Sequence, residues 1–156
     1  GKAFGMRVTG IRRNPQDDEH ADEVFGLDRF EELLPLTDYL VLALPDSSHT
    51  RDIINVDILE KLNSSAMIIN VGRGTAINED DLANALNDGK IAAAALDTTK
   101  VEPLDANSSL WTAKNCFISA HDSAHSLLSL ERAFELFFQN IKNIYNGDQI
   151  KNLYSE

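Results

Sequence analysis

Short apolar runs that alternate with segments of helical spacing constrain the fold of this chain more than any other feature. The runs 38–44 and 66–71 are apolar apart from one residue each, which is typical of strands buried on both faces. Further strands are predicted at 7–12, 91–96 and 117–118, and helical patterns fall at 27–34, 56–62 and 79–88. A strand–helix–strand order of this kind predicts an α/β fold with a doubly wound parallel sheet.

Capping signals mark the ends of the clearest helices. Asn78 is a suitable N-cap and Gly89 a suitable C-terminal stop for the helix 79–88. Elsewhere, the segment 14–21 is predicted to be a polar surface connection. A final helix of more than 20 residues is predicted before Gly147. One continuous apolar stripe runs along it, which we assign to packing against a partner surface: Leu127, Leu130, Phe134, Phe137, Ile141 and Ile144.

Charge and composition narrow the classes of partner. The formal net charge is −11 and no basic patch stands out, so a nucleic-acid partner is not expected. The apolar runs are much shorter than the roughly 20 residues that span a bilayer, and the N-terminus has no signal-peptide layout. We therefore expect a cytoplasmic protein with no membrane partner and no metal. We interpret the single cysteine, Cys116, as a small apolar strand residue, the alternative being a reactive thiol.

Ligands of parallel sheets bind at the carboxyl ends of the strands, so the residues just after each predicted strand are the candidates. Arg73 lies between Gly72 and Gly74, and its planar fork of donors suits a carboxylate. The alternative is a turn with a solvated guanidinium. Glu102 follows the strand that ends near Asp97, and an exposed loop glutamate is the alternative there.

Histidines near the last strand can exchange a proton near neutral pH. His121 directly follows that strand, and His125 lies four residues later and competes for the same role on these grounds alone. His20 and His49 lie in polar connections and are expected to be solvated.

In order and spacing, several segments resemble the D-isomer-specific 2-hydroxyacid dehydrogenase family, which includes glyoxylate/hydroxypyruvate reductases and phosphoglycerate dehydrogenases. The matching stretches are LALPDSSHTRDIIN, INVGRGTAINEDDLANALNDGKI, ALDTTKVEPL, SSLW and ISAH, and the resemblance runs over about 1–147. It implies a Rossmann-like NAD(P)-binding domain in an oxidoreductase. It also implies a catalytic set: Arg73 for the substrate carboxylate and carbonyl, His121 as proton donor, and Glu102 as the partner of His121.

The resemblance further implies a cofactor, NAD or NADP, and a small 2-keto acid such as glyoxylate, hydroxypyruvate or pyruvate. Besides the strand-end arginines discussed below, the implied cofactor contacts are Leu44, Pro45, Thr50, Val71, Gly72, Arg73, Asp97 and His121. A homodimer is also expected, since the family is commonly dimeric.

Two positions depart from the family pattern. Ala120 stands where the family usually has proline before the catalytic histidine, which loosens the approach to His121. Arg12, followed by Arg13, stands where NAD-using members have an acidic residue that binds the ribose hydroxyls. A cation there favours the 2′-phosphate of NADP, and a solvated basic strand end is the alternative.

The glycine-rich sequence G-x-G-x-x-G, which cradles a pyrophosphate at a helix start, does not occur in this sequence. The segment 1–6 resembles the end of the first helix of the fold, so we expect a partial NAD(P)-binding domain over 1–147, without its first strand. We expect the tail 148–156 to return toward an absent substrate domain, and the 156 residues alone to be inactive. A dinucleotide-sensing corepressor and an inactive truncated paralogue are the alternatives.

Overall fold

A computed structural model describes residues 1–153, so the last part of the predicted tail, 154–156, lies outside the described residues. The chain divides into two compact units, Gly1–Ala120 and His121–Glu156. The first unit contains all the strands, and the second contains the long C-terminal helix.

Six short strands form the first unit, and every neighbouring pair is parallel, which confirms the predicted parallel α/β arrangement. The first two strands form one sheet and the other four form a second sheet in the order β3-β4-β5-β6. Their bounds are β1 Thr9–Ile11, β2 Glu23–Phe25, β3 Tyr39–Leu42, β4 Met67–Asn70, β5 Ala93–Leu96 and β6 Cys116–Ile118.

Helical segments lie between successive strands from β2 onward, whereas the connection between β1 and β2, residues 12–22, contains none. The α-helices are α1 Phe30–Leu33, α2 Val56–Leu59, α3 Glu79–Asn87 and α4 Ser129–Asn146. Short 3₁₀ segments lie at Lys2–Phe4, Leu27–Arg29, Leu34–Leu36, Gly74–Ala76 and Ser109–Thr112. The predicted helix over 56–62 is shorter than expected, because the Lys61 amide donates to Ile58 O, a tighter bond that ends the regular helix.

The predicted caps of α3 are confirmed. The side chain of Asn78 accepts a hydrogen bond from the Asp81 amide at 3.2 Å. At the other end Gly89 has a φ of 69°, and the Lys90 amide donates to Ala85 O at 2.9 Å. Glycine adopts this left-handed conformation without the penalty that a side chain would add.

The core of the first unit brings together alternate residues of the four-stranded sheet and the inner faces of α2 and α3. Its largest fully buried side chains are those of Leu34, Ile54, Leu59, Ile68, Ile77, Leu82, Ile91, Leu96 and Leu110. This packing fixes the strand ends from which the candidate site is built.

Two strand predictions need correction. The run 38–44 is not buried on both faces, because Tyr39 and Val41 of β3 are 53% and 57% exposed. Successive strand residues point to opposite faces, and only the face of Leu40 and Leu42 joins the core. The strand β2 is missing from the predictions, because Glu23–Phe25 follows an acidic stretch and contains only two apolar residues.

The second unit is described by its helix α4. It has 18 residues, fewer than the predicted 20 or more, because Leu128 is its N-cap and regular helix begins only at Ser129. Gly147, with a φ of 75°, ends it as predicted. All six side chains of the stripe are exposed in the described chain, so their packing against a partner surface stays a prediction. No described helix is both long and apolar enough to cross a membrane.

Candidate active site

The loops after β3, β4 and β5 meet at one edge of the four-stranded sheet. Leu42, Asn70 and Leu96 are register partners on neighbouring parallel strands. The residues that follow them therefore leave the sheet side by side, at the carboxyl ends where parallel sheets bind ligands.

Glycines allow the turn after β4 to pack tightly between its neighbours. A Cβ atom built on Gly72 would lie 2.6 Å from Leu44 N, and one built on Gly74 would overlap the carbonyl carbon of Thr99. Both clashes involve main-chain atoms, which cannot move aside as a flexible side chain can. The backbone on either side of Arg73 is thus held against the loops of both adjacent strands.

Asn70, the last residue of β4, binds the same turn through its side chain and is fully buried, with 0% of its surface exposed. Its Oδ1 accepts from Gly72 N at 3.0 Å, and its Nδ2 donates to Arg73 O at 3.1 Å. Its main-chain carbonyl accepts from Asp97 N at 2.9 Å. Sequence reasoning did not select Asn70. The available signal was an amide side chain at the end of an otherwise apolar strand.

Arg73 itself has an extended backbone, with a φ of −132°, and an exposed side chain. Its Nη1 donates to Gly72 O at 2.8 Å, which uses one of the five N–H donors of a guanidinium. The predicted placement of this arginine at the edge of the sheet is confirmed by the position of the turn.

The loop after β3 is closed by its own polar side chains. Thr50 Oγ1 donates to Pro45 O at 2.6 Å and accepts from Ser47 N at 3.0 Å. Asp46 accepts from Thr75 Oγ1 at 2.9 Å and from Arg51 at 3.2 Å, and these bonds, the first above all, lower the pKa of Asp46. The bond to Thr75 ties this loop to the turn after β4.

Of the predicted cofactor contacts in this region, Leu44 is half-buried, while Pro45 and Val71 are exposed. The hydroxyl of Thr50 is engaged within its own loop. Contact between these residues and a cofactor stays a prediction.

The loop after β5 contains two buried polar residues. Asp97 is 6% exposed and accepts from Ser119 Oγ at 2.6 Å. Among the buried side-chain nitrogen and oxygen atoms of the described residues, the hydroxyl of Thr98 is the one that has no hydrogen-bond partner. Further along, Glu102 Oε1 accepts from Thr99 N at 3.1 Å, which fixes this carboxylate on its own loop. Ser119 was not selected from the sequence either.

Arg12 follows β1, and its amide extends the pairing with β2 by donating to Phe25 O at 3.0 Å. Its guanidinium forms an ion pair with Asp18. Asp18 also accepts from the His20 amide at 2.9 Å, and these two contacts, the His20 bond first, lower the pKa of Asp18. Arg13 is exposed.

Comparison with known proteins agrees with this geometry. The family model described as "D-isomer specific 2-hydroxyacid dehydrogenase, NAD binding domain" matches residues 1–123. This chain belongs to that family. The human protein named glyoxylate reductase/hydroxypyruvate reductase is 40% identical over 121 residues, which are 77% of this chain and 37% of that protein.

Solved structures of the family have the same fold. A 2-hydroxyacid dehydrogenase from Xanthobacter autotrophicus in complex with NADPH superposes with a TM-score of 0.89 at 31% identity, covering 98% of this chain and 62% of that one. An NADPH-dependent glyoxylate/hydroxypyruvate reductase from Sinorhizobium meliloti in complex with NADP has a TM-score of 0.89 at 28% identity, covering 99% and 49%. The chain spans about half the length, or less, of the curated relatives that it matches.

As a dehydrogenase-family domain, the first unit contains two of the three predicted catalytic residues, Arg73 and Glu102. The third, His121, is the first residue of the second unit. Its φ is 55°, a left-handed conformation in which histidine is several times more frequent than most other residues. The pairing of His121 with Glu102 and the preference for His121 over His125 stay predictions.

Cys116 lies half-buried on β6. Burial raises the pKa of its thiol, and the negative charge of Glu79 adds to this effect. A raised pKa lowers the fraction of nucleophilic thiolate, so the structure favours the interpretation of Cys116 as a small apolar residue.

Proposed function

We propose that this domain serves an NAD(P)-dependent oxidoreductase that reduces a small 2-keto acid to the 2-hydroxy acid. The observation that carries the proposal is the turn after β4, where buried contacts hold Arg73 at the ligand-binding edge of a sheet. A guanidinium held in this way suits a carboxylate, since it offers two parallel N–H donors to two oxygens.

The remaining roles follow from the family. A bound nicotinamide cofactor would supply the hydride. Arg73 would bind the substrate carboxylate and orient the keto group, His121 would donate a proton to the keto oxygen, and Glu102 would stabilise the protonated imidazole.

The residues at the sheet edge fit a dinucleotide by their chemistry. Asp97 offers a buried carboxylate acceptor for the amide of the nicotinamide, and the apolar side chains of Leu44, Pro45 and Val71 suit the flat rings. Arg12 and Arg13 suit the 2′-phosphate of NADP. Because two structural neighbours are named as complexes with NADPH or NADP, we propose NADP as the preferred cofactor.

Substrate and assembly belong to the same proposal. The relatives are named for glyoxylate and hydroxypyruvate, so small unbranched 2-keto acids are the proposed substrates. We further propose that residues 1–147 form part of the cofactor-binding domain of a homodimer in the cytoplasm, a reducing compartment in which a lone cysteine is ordinary. The corepressor alternative has no specific support in the described residues.

The test is an assay of the full-length protein with NADPH and a panel of 2-keto acids, following NADPH oxidation. We expect turnover of glyoxylate or hydroxypyruvate, and a loss of kcat of about 10²- to 10⁴-fold in His121→Ala, the range for a general acid. His125→Ala is the matched control and should keep its activity. No turnover with any keto acid, or a larger loss in His125→Ala than in His121→Ala, would contradict the proposal.

A further inference from the structure

We propose that Asn70 is a positioning residue, whose buried side-chain amide sets the location and direction of Arg73 during substrate binding. This inference rests on the proposed function, because it assigns to Asn70 a role in holding the arginine that would bind the substrate carboxylate. It concerns a residue that is not expected to touch the substrate.

The first support is the pair of bonds that the side chain forms to the turn. Oδ1 accepts from Gly72 N at 3.0 Å and Nδ2 donates to Arg73 O at 3.1 Å, so one amide fixes the residue before the arginine and the arginine itself. Asn70 is completely buried, and water cannot replace either bond. An unpaired polar group in such a place is unfavourable, which makes the turn conformation with both bonds strongly preferred.

The second support is the way the remaining contacts of the turn converge on the same residue. The carbonyl of Arg73 accepts from Ala76 N at 3.1 Å in addition to Asn70 Nδ2. Gly72 and Gly74 press against main-chain atoms of the neighbouring loops. The neighbouring loops therefore restrict the turn on both sides. The Asn70 amide restricts it at the end of β4, where it binds Gly72 and Arg73.

The third support is the chemistry that the position demands. The side chain must carry one acceptor and one donor at the reach of a two-carbon stem, and asparagine meets this demand at neutral pH. An ionised aspartate lacks the donor to Arg73 O, and serine is too short to reach both groups. A buried amide at the end of the strand sequence Met67–Asn70 is thus explained by the turn that it supports.

Asn70 is linked to Arg73, the predicted substrate-binding residue, and to Asp97, a predicted cofactor contact, by different atoms. The side chain reaches Arg73, whereas the main-chain carbonyl accepts from Asp97 N at 2.9 Å. A substitution at position 70 removes the first link and leaves the second. The expected defect is therefore mainly in handling of the keto acid, with a smaller loss of cofactor affinity through the predicted cofactor contacts of the turn.

The experiment uses the full-length protein and the variants Asn70→Asp and Asn70→Ser. We expect kcat/KM for the keto acid to fall on the order of 10²-fold, the cost of a catalytic group displaced by about 1 Å, with a much smaller rise in the Kd for NADPH. Retained NADPH binding also reports that the variants are folded, and Asn70→Asp preserves the side-chain volume in case Asn70→Ser unfolds.

Asn63→Ser is the matched control. Asn63 also uses both ends of its amide, donating to Thr37 O at 2.7 Å and accepting from Ser65 N at 2.9 Å, but it lies before β4, at the opposite edge of the sheet. Its replacement should leave kcat/KM unchanged.

A double-mutant cycle with Arg73→Ala decides between positioning and general support of the fold. If Asn70 acts through Arg73, Asn70→Asp should cause no further loss once Arg73 is removed. Multiplying losses, or a Kd for NADPH that rises as much as kcat/KM for the keto acid falls, would overturn the inference while the wild type remains an active reductase. A wild type that reduces no keto acid would instead overturn the proposed function, and this inference with it.

Discussion

Two arginines follow parallel strands in the first unit, and they are held in different ways. Arg73 lies on a turn whose backbone is fixed by a buried amide and by two glycines packed against main chain. Arg12 follows a three-residue strand in the two-stranded sheet, and its guanidinium is held by one partly exposed ion pair with Asp18.

The difference indicates whether each arginine is already positioned before an anion binds. The position of Arg73 is set by packing, which is stiff and insensitive to salt or pH. The position of Arg12 depends on a surface ion pair, and such pairs contribute about 0–1 kcal/mol to stability. Arg12 can therefore exchange its carboxylate partner for a phosphate at little cost, whereas the turn that carries Arg73 is already formed before a ligand arrives.

The largest expected effect is on stability, and it follows from replacing a glycine near each arginine. In Gly74→Ala the new methyl group would overlap the main chain of Thr99, while in Gly10→Ala on β1 it would lie 3.4 Å from a Val24 methyl, an ordinary contact. We expect Gly74→Ala to lower the free energy of unfolding by about 3 kcal/mol and Gly10→Ala to change it by less than about 0.5 kcal/mol.

Denaturant unfolding of the full-length protein and both variants measures this difference. Equal losses of unfolding free energy in the two variants would show that the turn after β4 is no more tightly packed than β1, which would contradict the difference between the two arginines.

The second prediction concerns the anion at Arg12. Replacing a cation that binds the 2′-phosphate removes a charged hydrogen bond, so Arg12→Asp should weaken NADPH binding by about 10- to 100-fold and shrink the preference over NADH. Arg7→Asp is the matched control, since Arg7 precedes the same strand and forms an ion pair of the same kind with Glu23.

Steady-state kinetics with each cofactor give the preference directly. A wild type that uses NADPH and NADH equally well, or an Arg7→Asp variant that loses the preference as much as Arg12→Asp, would remove the support for an NADP site at the end of β1.

The position of Arg73 could be predicted from the sequence for one physical reason. Apolar runs bounded by helices reveal parallel strands, and parallel strands place their following residues at one edge, which located Arg73, Asp97 and Glu102 in advance. The support beneath Arg73 could not be predicted. Whether the amide of Asn70 turns toward solvent, a neighbouring strand or its own turn depends on packing that no spacing encodes.

Exposure was the other property that the sequence did not specify. The apolar stripe of α4 and the alternate residues of β3 have the composition of buried faces, yet Phe134, Tyr39 and Val41 are exposed in the described chain. A pattern shows which face of an element is apolar, but not what contacts that face. The strand β2 was missed because its two apolar residues follow an acidic stretch and form no apolar run.

The smallest expected effect tests the ion pair at Arg12 through pH. The pKa of Asp18 is lowered in the folded protein, by the His20 amide and by Arg12, from a usual value of 3.8. A lowered folded pKa means that the ionised carboxylate stabilises the fold. This stabilisation is fully present above the unfolded pKa of about 4 and is lost as the pH falls through the folded value.

Asp18→Asn keeps an acceptor for the His20 amide and removes the charge that pairs with Arg12. The wild type should therefore unfold at slightly higher denaturant concentration than this variant near neutral pH, and the gap should close as the pH falls below about 4. Added salt should narrow the gap at neutral pH, because the pair is at the surface. Asp17→Asn, its exposed neighbour, is the control. A gap that persisted in acid would mean that Asp18 supports the loop through its shape and its bond to His20, and that Arg12 is not held by charge.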